Sequence, residues 1–285
     1  MRRVAQLVPV RDSDDPRVDD FRDLSRADRR PDRPGGRGLV IAEGVVVVER
    51  LLDSPYPVRA LMGVQRRIDA LTAALDHVDV PAYVVDADVM AQVVGFHLNR
   101  GVLAVADRAP EPDLQRLLAE SRRVAVLEGV GDHENLGALF RNAAALGVDA
   151  VLLGARCSDP LYRRSVRVSM GNVLRVPFAP LPNWPDELQL LREHGFRIAA
   201  LTPGADAVPA RAAGLDQGKV AVLLGAEGPG LSDAALKAAD TAVRIPMHRD
   251  VDSLNVATAA AVTFYEMNAA SETGGTHPPV SEARA

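Results

Sequence analysis

The stretch that decides the fold is Val124-Ala125-Val126-Leu127-Glu128-Gly129-Val130-Gly131-Asp132-His133-Glu134-Asn135-Leu136-Gly137-Ala138-Leu139-Phe140-Arg141-Asn142-Ala143. A four-residue apolar run of strand length ends at a polar loop with two glycines. Apolar positions then return at helical spacing from Leu136 to Leu146. The rhythm repeats downstream, with apolar runs at 150–153, 198–201 and 220–224 and helical segments between them. Parallel strands buried on both faces read this way, so residues 123–270 are predicted to form an α/β domain: a parallel sheet with helices on both faces. Ligands of such sheets bind where strands end and helices begin. Asn135 is placed to cap the helix. Arg141, six residues on, does not share its face, although a long arginine can still reach the loop.

Outward from this stretch the chain divides. Residues 38–108 read as a smaller α/β domain, with helices over 45–52 and 66–75 and strands at 58–62, 82–85 and 102–105. Ala109-Pro110-Glu111-Pro112 ends it, and a helix from Leu114 to Ser121 completes a linker over 109–122. Residues 1–37 hold ten arginines and eight aspartates, with few large apolar residues after Val10. That mixture predicts a solvated, arginine-rich arm. The tail, residues 271–285, is rich in small and breaker residues and is predicted to be disordered.

Composition narrows the function. The 285 residues are 47% hydrophobic with a net charge of −5, which excludes a uniformly basic nucleic-acid binder but leaves a polarised one. Lys219 and Lys237 are the only lysines. The arginine excess reads mainly as compositional bias, and the rival explanation is that guanidinium groups suit phosphate. One cysteine, Cys157, excludes an intramolecular disulfide and any cysteine-rich zinc site, and suits a reducing compartment. No apolar run approaches the ~20 residues of a membrane span. The start lacks the apolar core of a signal peptide, so the expected location is the cytoplasm. Asp132-His133-Glu134 reads as a solvated loop and no metal is expected, because adjacent residues seldom share one ligand sphere.

Two further clusters sit at strand-to-helix junctions. Gly225-Ala226-Glu227-Gly228-Pro229-Gly230-Leu231-Ser232 follows an apolar run, and Ser232 is a plausible N-cap. Its glycines permit close backbone approach to a ligand. Their order and the internal proline disfavour a dinucleotide-binding oxidoreductase. Ile245-Pro246-Met247-His248-Arg249-Asp250-Val251-Asp252-Ser253-Leu254-Asn255-Val256-Ala257 ends a short strand, with Ser253 opening the last helix, to about Ala269.

Taken in order, Asn135-x-Gly137-x-x-x-Arg141-x-Ala143, Gly225-x-Glu227-Gly228-x-Gly230, and Ile245-Pro246-Met247 with Ser253-Leu254-Asn255-Val256 resemble the SpoU (TrmH) family of RNA ribose methyltransferases, of the SPOUT superfamily. The smaller domain, through Leu39 to Gly44 and Asn99 to Val105, resembles the substrate-binding domain many members carry. Two positions depart from the pattern: Arg249 where a glycine is usual, and Ala257 where serine is frequent.

The resemblance implies a C-terminal trefoil knot, a homodimer, and S-adenosylmethionine as cofactor. It places the cofactor on Gly225, Ile245 and Leu254, with Glu227, Gly228, Met247 and Asn255, and less strongly Thr202 and Gly204. It implies methylation of a ribose 2′-OH in structured RNA, ribosomal RNA before transfer RNA. Arg141 would activate the hydroxyl and Asn135 position the substrate, while Glu227, Ser253 and Asn255 order the site. Arginine stays protonated, so stabilising a developing alkoxide suits it better than taking a proton. Arg100, Arg163, Arg164 and Arg167, with Arg156 and the arm, are the candidate phosphate contacts. The alternative reading is a non-catalytic RNA-binding protein of the same fold.

Overall fold

A computed structural model of the chain describes residues 5–24, 38–248 and 251–268. The predicted tail, Arg249 and most of the arginines of the predicted arm lie outside the described residues.

The N-terminal part is a five-stranded mixed sheet built from β1 (Gln6–Pro9), β2 (Val40–Glu43), β3 (Val58–Gly63), β4 (Pro81–Val84) and β5 (Val102–Ala106), in the order β1-β4-β3-β5-β2. Its helices are α1 (Val45–Leu52), α2 (Gln65–Asp69), α3 (Thr72–Leu75) and α4 (Ala87–Val94). Two expectations need correcting here. The single helix over 66–75 is two short helices, broken at Ala70-Leu71, with Ile68, Leu71 and Leu75 still turned to the core.

The second correction concerns residues 5–24, which are part of this unit rather than a solvated arm. Strand β1 adds to the sheet edge in parallel with β4, and Val10, Val18, Phe21 and Leu24 are buried beside Ile41, Met62 and Leu103. Edge pairing is made by backbone groups and asks little of composition. The 18, 21, 24 spacing seats three apolar side chains on one face although charges surround them. Ion pairs Arg59–Asp20 and Arg17–Asp15 then take up part of that charge.

Helix α5 (Leu114–Glu120) leads into the second sheet, which is wholly parallel. Its strands are β6 (Arg123–Glu128), β7 (Ala150–Leu153), β8 (Phe178–Pro180), β9 (Phe196–Leu201), β10 (Val208–Pro209), β11 (Lys219–Gly225) and β12 (Thr241–Arg244), ordered β10-β12-β9-β11-β6-β7-β8. The helices are α6 (His133–Ala145), α7 (Arg163–Val168), α8 (Leu188–Glu193), α9 (Asp233–Lys237) and α10 (Val256–Met267). Side chains alternate across the sheet. Ala125, Leu127, Val151 and Val222 pack with Leu136, Phe140 and Phe264 on one face, whereas Val124, Val126, Leu152 and Leu223 pack with Leu188, Leu191 and Ala235 on the other. Helices therefore cover both faces, as the continuous apolar runs require.

One buried charge anchors this sheet. Arg123, 8% exposed, donates to the carbonyls of Asp216, Gly218 and Met267 at 2.5–2.6 Å. Its guanidinium joins the start of β6, the approach to β11 and the end of α10. Burial pushes its pKa down, and the carbonyls compensate for lost water. The two sheets meet where α7 packs on β2 and the 3₁₀ turn Asn172–Leu174 packs on α1, within one continuous apolar cluster.

Candidate functional site

Three strand ends build the site. Strands β12, β9 and β11 are neighbours, so the loops after Arg244, Leu201 and Gly225 emerge side by side at the carboxyl edge. Thr202 N–H donates to the Val243 carbonyl at 2.9 Å and holds the first two loops together. The third doubles back on itself. Ala226 bridges Gly230, and a Cβ added to Gly225 would lie 2.3 Å from the Gly230 carbonyl carbon and the Leu231 nitrogen. No side chain fits between two backbones at that distance, so the first glycine of the cluster is a steric requirement. Ser232 then caps α9, accepting from Ala235 N–H, as read from the sequence.

Helix α6 starts differently from the expectation. Its cap is Asp132, which accepts from the N–H groups of Glu134 and Asn135 at 2.9 and 2.8 Å. Asn135 is thereby released from capping, and its carbonyl oxygen accepts from the Asn255 amide at 2.7 Å. A second correction applies to α10. Asn255, not Ser253, is its cap, accepting from Ala257 and Thr258 N–H at 2.9 and 3.2 Å, while Ser253 is exposed in the preceding loop. The caps sit three and two residues away from where polar composition alone suggested, because Asp, Asn and Ser are comparable caps.

Asn255 is the hub. Its side-chain oxygen caps α10, and its amide donates to Asn135 Oδ1 and to Glu227 Oε1, each at 2.7 Å. An amide has two N–H donors, and two acceptors face them. Asn135, Glu227 and Asn255 thus come from three separate motifs, 92 and 28 residues apart in sequence, to one hydrogen-bonded line. Glu227 is exposed. The apolar side chains of Ile245, Met247 and Leu254 are half-buried, while Gly204 and Gly228 are exposed at loop tips.

Behind this line, Asn142 donates to the Ala257 carbonyl at 2.8 Å and ties α6 to α10. An open groove of about 620 Å³ follows, lined among others by Asn135, Ala138, Asn142, Ala257 and Ala261. Gly137 brings α7 close: a Cβ there would be 2.8 Å from the Ser165 carbonyl oxygen. That explains the glycine of the first motif by helix packing. Arg141 is exposed on another flank of α6 and does not line this groove.

Glu128 escaped the sequence reading. It is 2% exposed at the end of β6, accepting from Trp184 Nε1–H at 2.8 Å and from Ser232 N–H at 2.9 Å. It therefore fixes the far end of the 225–232 loop. Its only signal was a carboxylate closing an apolar strand before a glycine.

The four arginines expected to hold phosphate have varied surroundings. Arg164 pairs with Glu134, with Nη2 2.5 Å from Oε1. Arg163 lies over the Phe96 ring, 4.9 Å from its centroid. Arg100 stands 3.9 Å from the buried Glu43 carboxylate, and Arg167 is half-buried in α7. Cys157 donates to the Leu127 carbonyl, and burial pushes its thiol pKa up, as suits a packing residue. Among the described residues no three His, Cys, Asp or Glu side chains are grouped to hold a metal, and no helix is long and apolar enough to cross a membrane.

With this geometry in place, comparison with known proteins is decisive. Residues 122–265 match the model of the SpoU rRNA methylase family. The chain belongs to that family. It is 59% identical over 259 residues to an uncharacterized tRNA/rRNA methyltransferase of Mycobacterium tuberculosis, covering 90% of each chain. It is 28% identical over 233 residues to the 23S rRNA (guanosine(2553)-2′-O)-methyltransferase RlmP of Bacillus subtilis, covering 80% of this chain and 87% of that one. Among solved structures, an AdoMet-bound rRNA methyltransferase from Sinorhizobium meliloti superposes with a TM-score of 0.78 at 25% identity, over 93% of this chain and 99% of that one. The parallel sheet with helices on both faces is the SpoU arrangement that the motifs implied.

Proposed function

We propose that this SpoU-family chain transfers a methyl group from S-adenosylmethionine to a ribose 2′-OH of structured RNA, ribosomal RNA in preference to transfer RNA. The observation that carries the reading is the Asn135–Asn255–Glu227 line, which joins the three motifs at the edge of three adjacent strand-end loops. The RlmP likeness supports the 2′-oxygen as acceptor, and the AdoMet-bound neighbour supports the cofactor.

The residues fit the cofactor. Thr202 and Gly204, Gly225 and Gly228, and Ile245 and Met247 offer backbone groups from three loops, and half-buried Ile245, Met247 and Leu254 offer apolar surface for an adenine ring. When bound, S-adenosylmethionine supplies a methyl group on a positively charged sulfur, which needs no metal to leave. Glu227 belongs to the cofactor loop and is held there by Asn255, and Asn135 presents its amide to the incoming nucleotide. The harder task is to make a ribose hydroxyl nucleophilic. Arg141, permanently charged, stabilises the oxygen as its proton passes to water, while the S–CH3 bond breaks and the sulfur leaves as a neutral thioether. Ser253 orders the loop that carries Leu254.

The same reading includes a C-terminal knot and a homodimer, with a second copy closing the groove between α6 and α10. Small side chains there permit close approach, and Val262 and Tyr265 of α10 are exposed beyond it. Sedimentation at twice the chain mass checks the dimer. The principal test is Arg141→Ala, assayed on ribosomal RNA from a strain lacking this gene. Methyl transfer should fall at least a hundredfold, about the cost of removing one transition-state donor. S-adenosylmethionine affinity by calorimetry should be unchanged. Near-normal transfer would refute the role of Arg141, and undetectable cofactor binding by the wild type would favour a non-catalytic RNA binder.

A further inference from the structure

The junction of the two sheets holds two arginines, Arg50 and Arg175, that none of the family motifs includes. Arg50, near the end of α1, donates through Nη1 to the Met170 carbonyl at 2.5 Å. The contact is tight, since a Cβ on Gly171 would sit 3.3 Å from Arg50 Cδ. One N–H of five is spent there, and the half-buried fork is fixed across the junction rather than left to sweep through solvent. Arg175, just after the 3₁₀ turn Asn172–Leu174, is exposed on the same side. That turn packs against both α1 and α6, the helix of Arg141. Arg50 therefore stands between the turn that carries Arg175 and the helix that carries Arg141, within electrostatic reach of both. Burial lowers the Arg50 pKa, and the charges of Arg175 and Arg141 lower it further.

Like charges gathered without equal compensation are a cost to the folded chain. The acids beside them are Glu49, which opposes that lowering, and Asp53, whose carboxylate is 3.6 Å from Arg175 Nη2. The latter pair is solvent-exposed and longer than a hydrogen bond, so it holds Arg175 weakly. Three arginines against two acids leave a site that an anion would complete. A phosphodiester presents oxygens that the guanidinium fork matches.

We propose that Arg50 and Arg175, together with Arg141, seat a backbone phosphate of the RNA at the junction of the two sheets and thereby position the strand for Arg141. The inference rests on the methyltransferase reading for its choice of RNA. Arg50 and Arg175 are positioning residues in it, acting on where the strand lies and not on the reacting oxygen. The arrangement also gives the N-terminal sheet a direct part in substrate placement, because Arg50 belongs to α1 while Arg141 and Arg175 belong to the larger unit.

The test uses the full chain, a fluorescein-labelled RNA hairpin read by anisotropy, and the ribosomal RNA methyl acceptor described above. Arg50→Gln and Arg175→Gln should each weaken hairpin binding by about three- to tenfold and reduce the slope of log affinity against log salt by roughly 0.7–0.9, the share of one phosphate contact. Asp53→Ala should move affinity the other way. In the transfer assay the loss should fall on KM for RNA, and calorimetric S-adenosylmethionine affinity at the wild-type value shows that each variant is folded. Affinity and salt slope equal to wild type in both arginine variants would overturn the phosphate seat, with methyl transfer untouched. If instead the wild type transfers no methyl group while the variants still lose RNA affinity, the seat stands and the activity falls.

Discussion

Glu128 and Glu227 lie at the ends of paired strands, where Glu128 and Gly225 face each other in register, yet their surroundings are opposite. Glu128 is 2% exposed and accepts from an indole N–H and a backbone N–H, on two residues that are half-buried. Glu227 is exposed two residues past its strand and accepts from one amide hydrogen of Asn255. A buried carboxylate whose oxygens are each engaged is committed to holding its partners. An exposed one, held from one side, keeps lone pairs for a ligand. The scaffold carboxylate thus fixes one end of the 225–232 loop through Ser232, and the other points from the loop toward the motif residues.

Breaking the scaffold side should cost most. Glu128→Ala removes the acceptor for Trp184 Nε1–H and for Ser232 N–H and leaves both half-buried donors unpaired, at roughly 1–3 kcal/mol. Trp184 is the only tryptophan, so its emission reports the change directly during urea unfolding. A stability equal to wild type, with unshifted emission, would show that water replaces the carboxylate without penalty and that the two glutamates differ less than their burial suggests.

Asn255 lies between the two kinds of residue, because its side chain both caps a helix and holds Glu227. Asn255→Ala should cost about 1 kcal/mol as a lost cap. Asn255→Ser keeps an N-cap oxygen but lacks the amide donors, so it should recover most of that stability and recover no methyl transfer. Transfer restored by serine would assign Asn255 to the fold alone.

How far the sequence alone reached follows from the same physics. The parallel sheet was legible because strands buried on both faces are continuously apolar, and β6, β7, β9 and β11 appeared within one or two residues of their predicted bounds. The motif residues were legible by resemblance. Their mutual contacts were not, since Asn135, Glu227 and Asn255 meet only when three crossovers bring adjacent strand ends together. Local rules misplaced both caps, because Asp132 and Asn135, or Ser253 and Asn255, satisfy the same preference and tertiary contacts select between them. Glu128 was hidden for a related reason: burial of a strand-terminal carboxylate depends on Trp184, 56 residues away. The segment at 5–24 was misread by composition, as its edge strand pairs through backbone and Val10, Val18, Phe21 and Leu24 turn inward.

The smallest expected change in stability separates the two glutamates most sharply. Glu227→Gln keeps the side-chain shape and an oxygen that can still accept from Asn255, while replacing one carboxylate oxygen by an amide and removing the charge. The residue is exposed, so unfolding free energy should stay within about 0.5 kcal/mol of wild type. Methyl transfer should nonetheless drop at least tenfold if the free carboxylate oxygen engages a hydroxyl or amino group of cofactor or RNA, since an ionised acceptor makes hydrogen bonds roughly twice as strong as a neutral one. Calorimetry divides the outcome: weakened S-adenosylmethionine binding assigns that oxygen to the cofactor, and unchanged cofactor affinity with a raised KM for RNA assigns it to the nucleotide. Unchanged transfer and affinity would instead place Glu227 beside Glu128 as part of the scaffold, despite its exposure, and would leave Asn135 and Asn255 as the residues through which the loops meet the substrate.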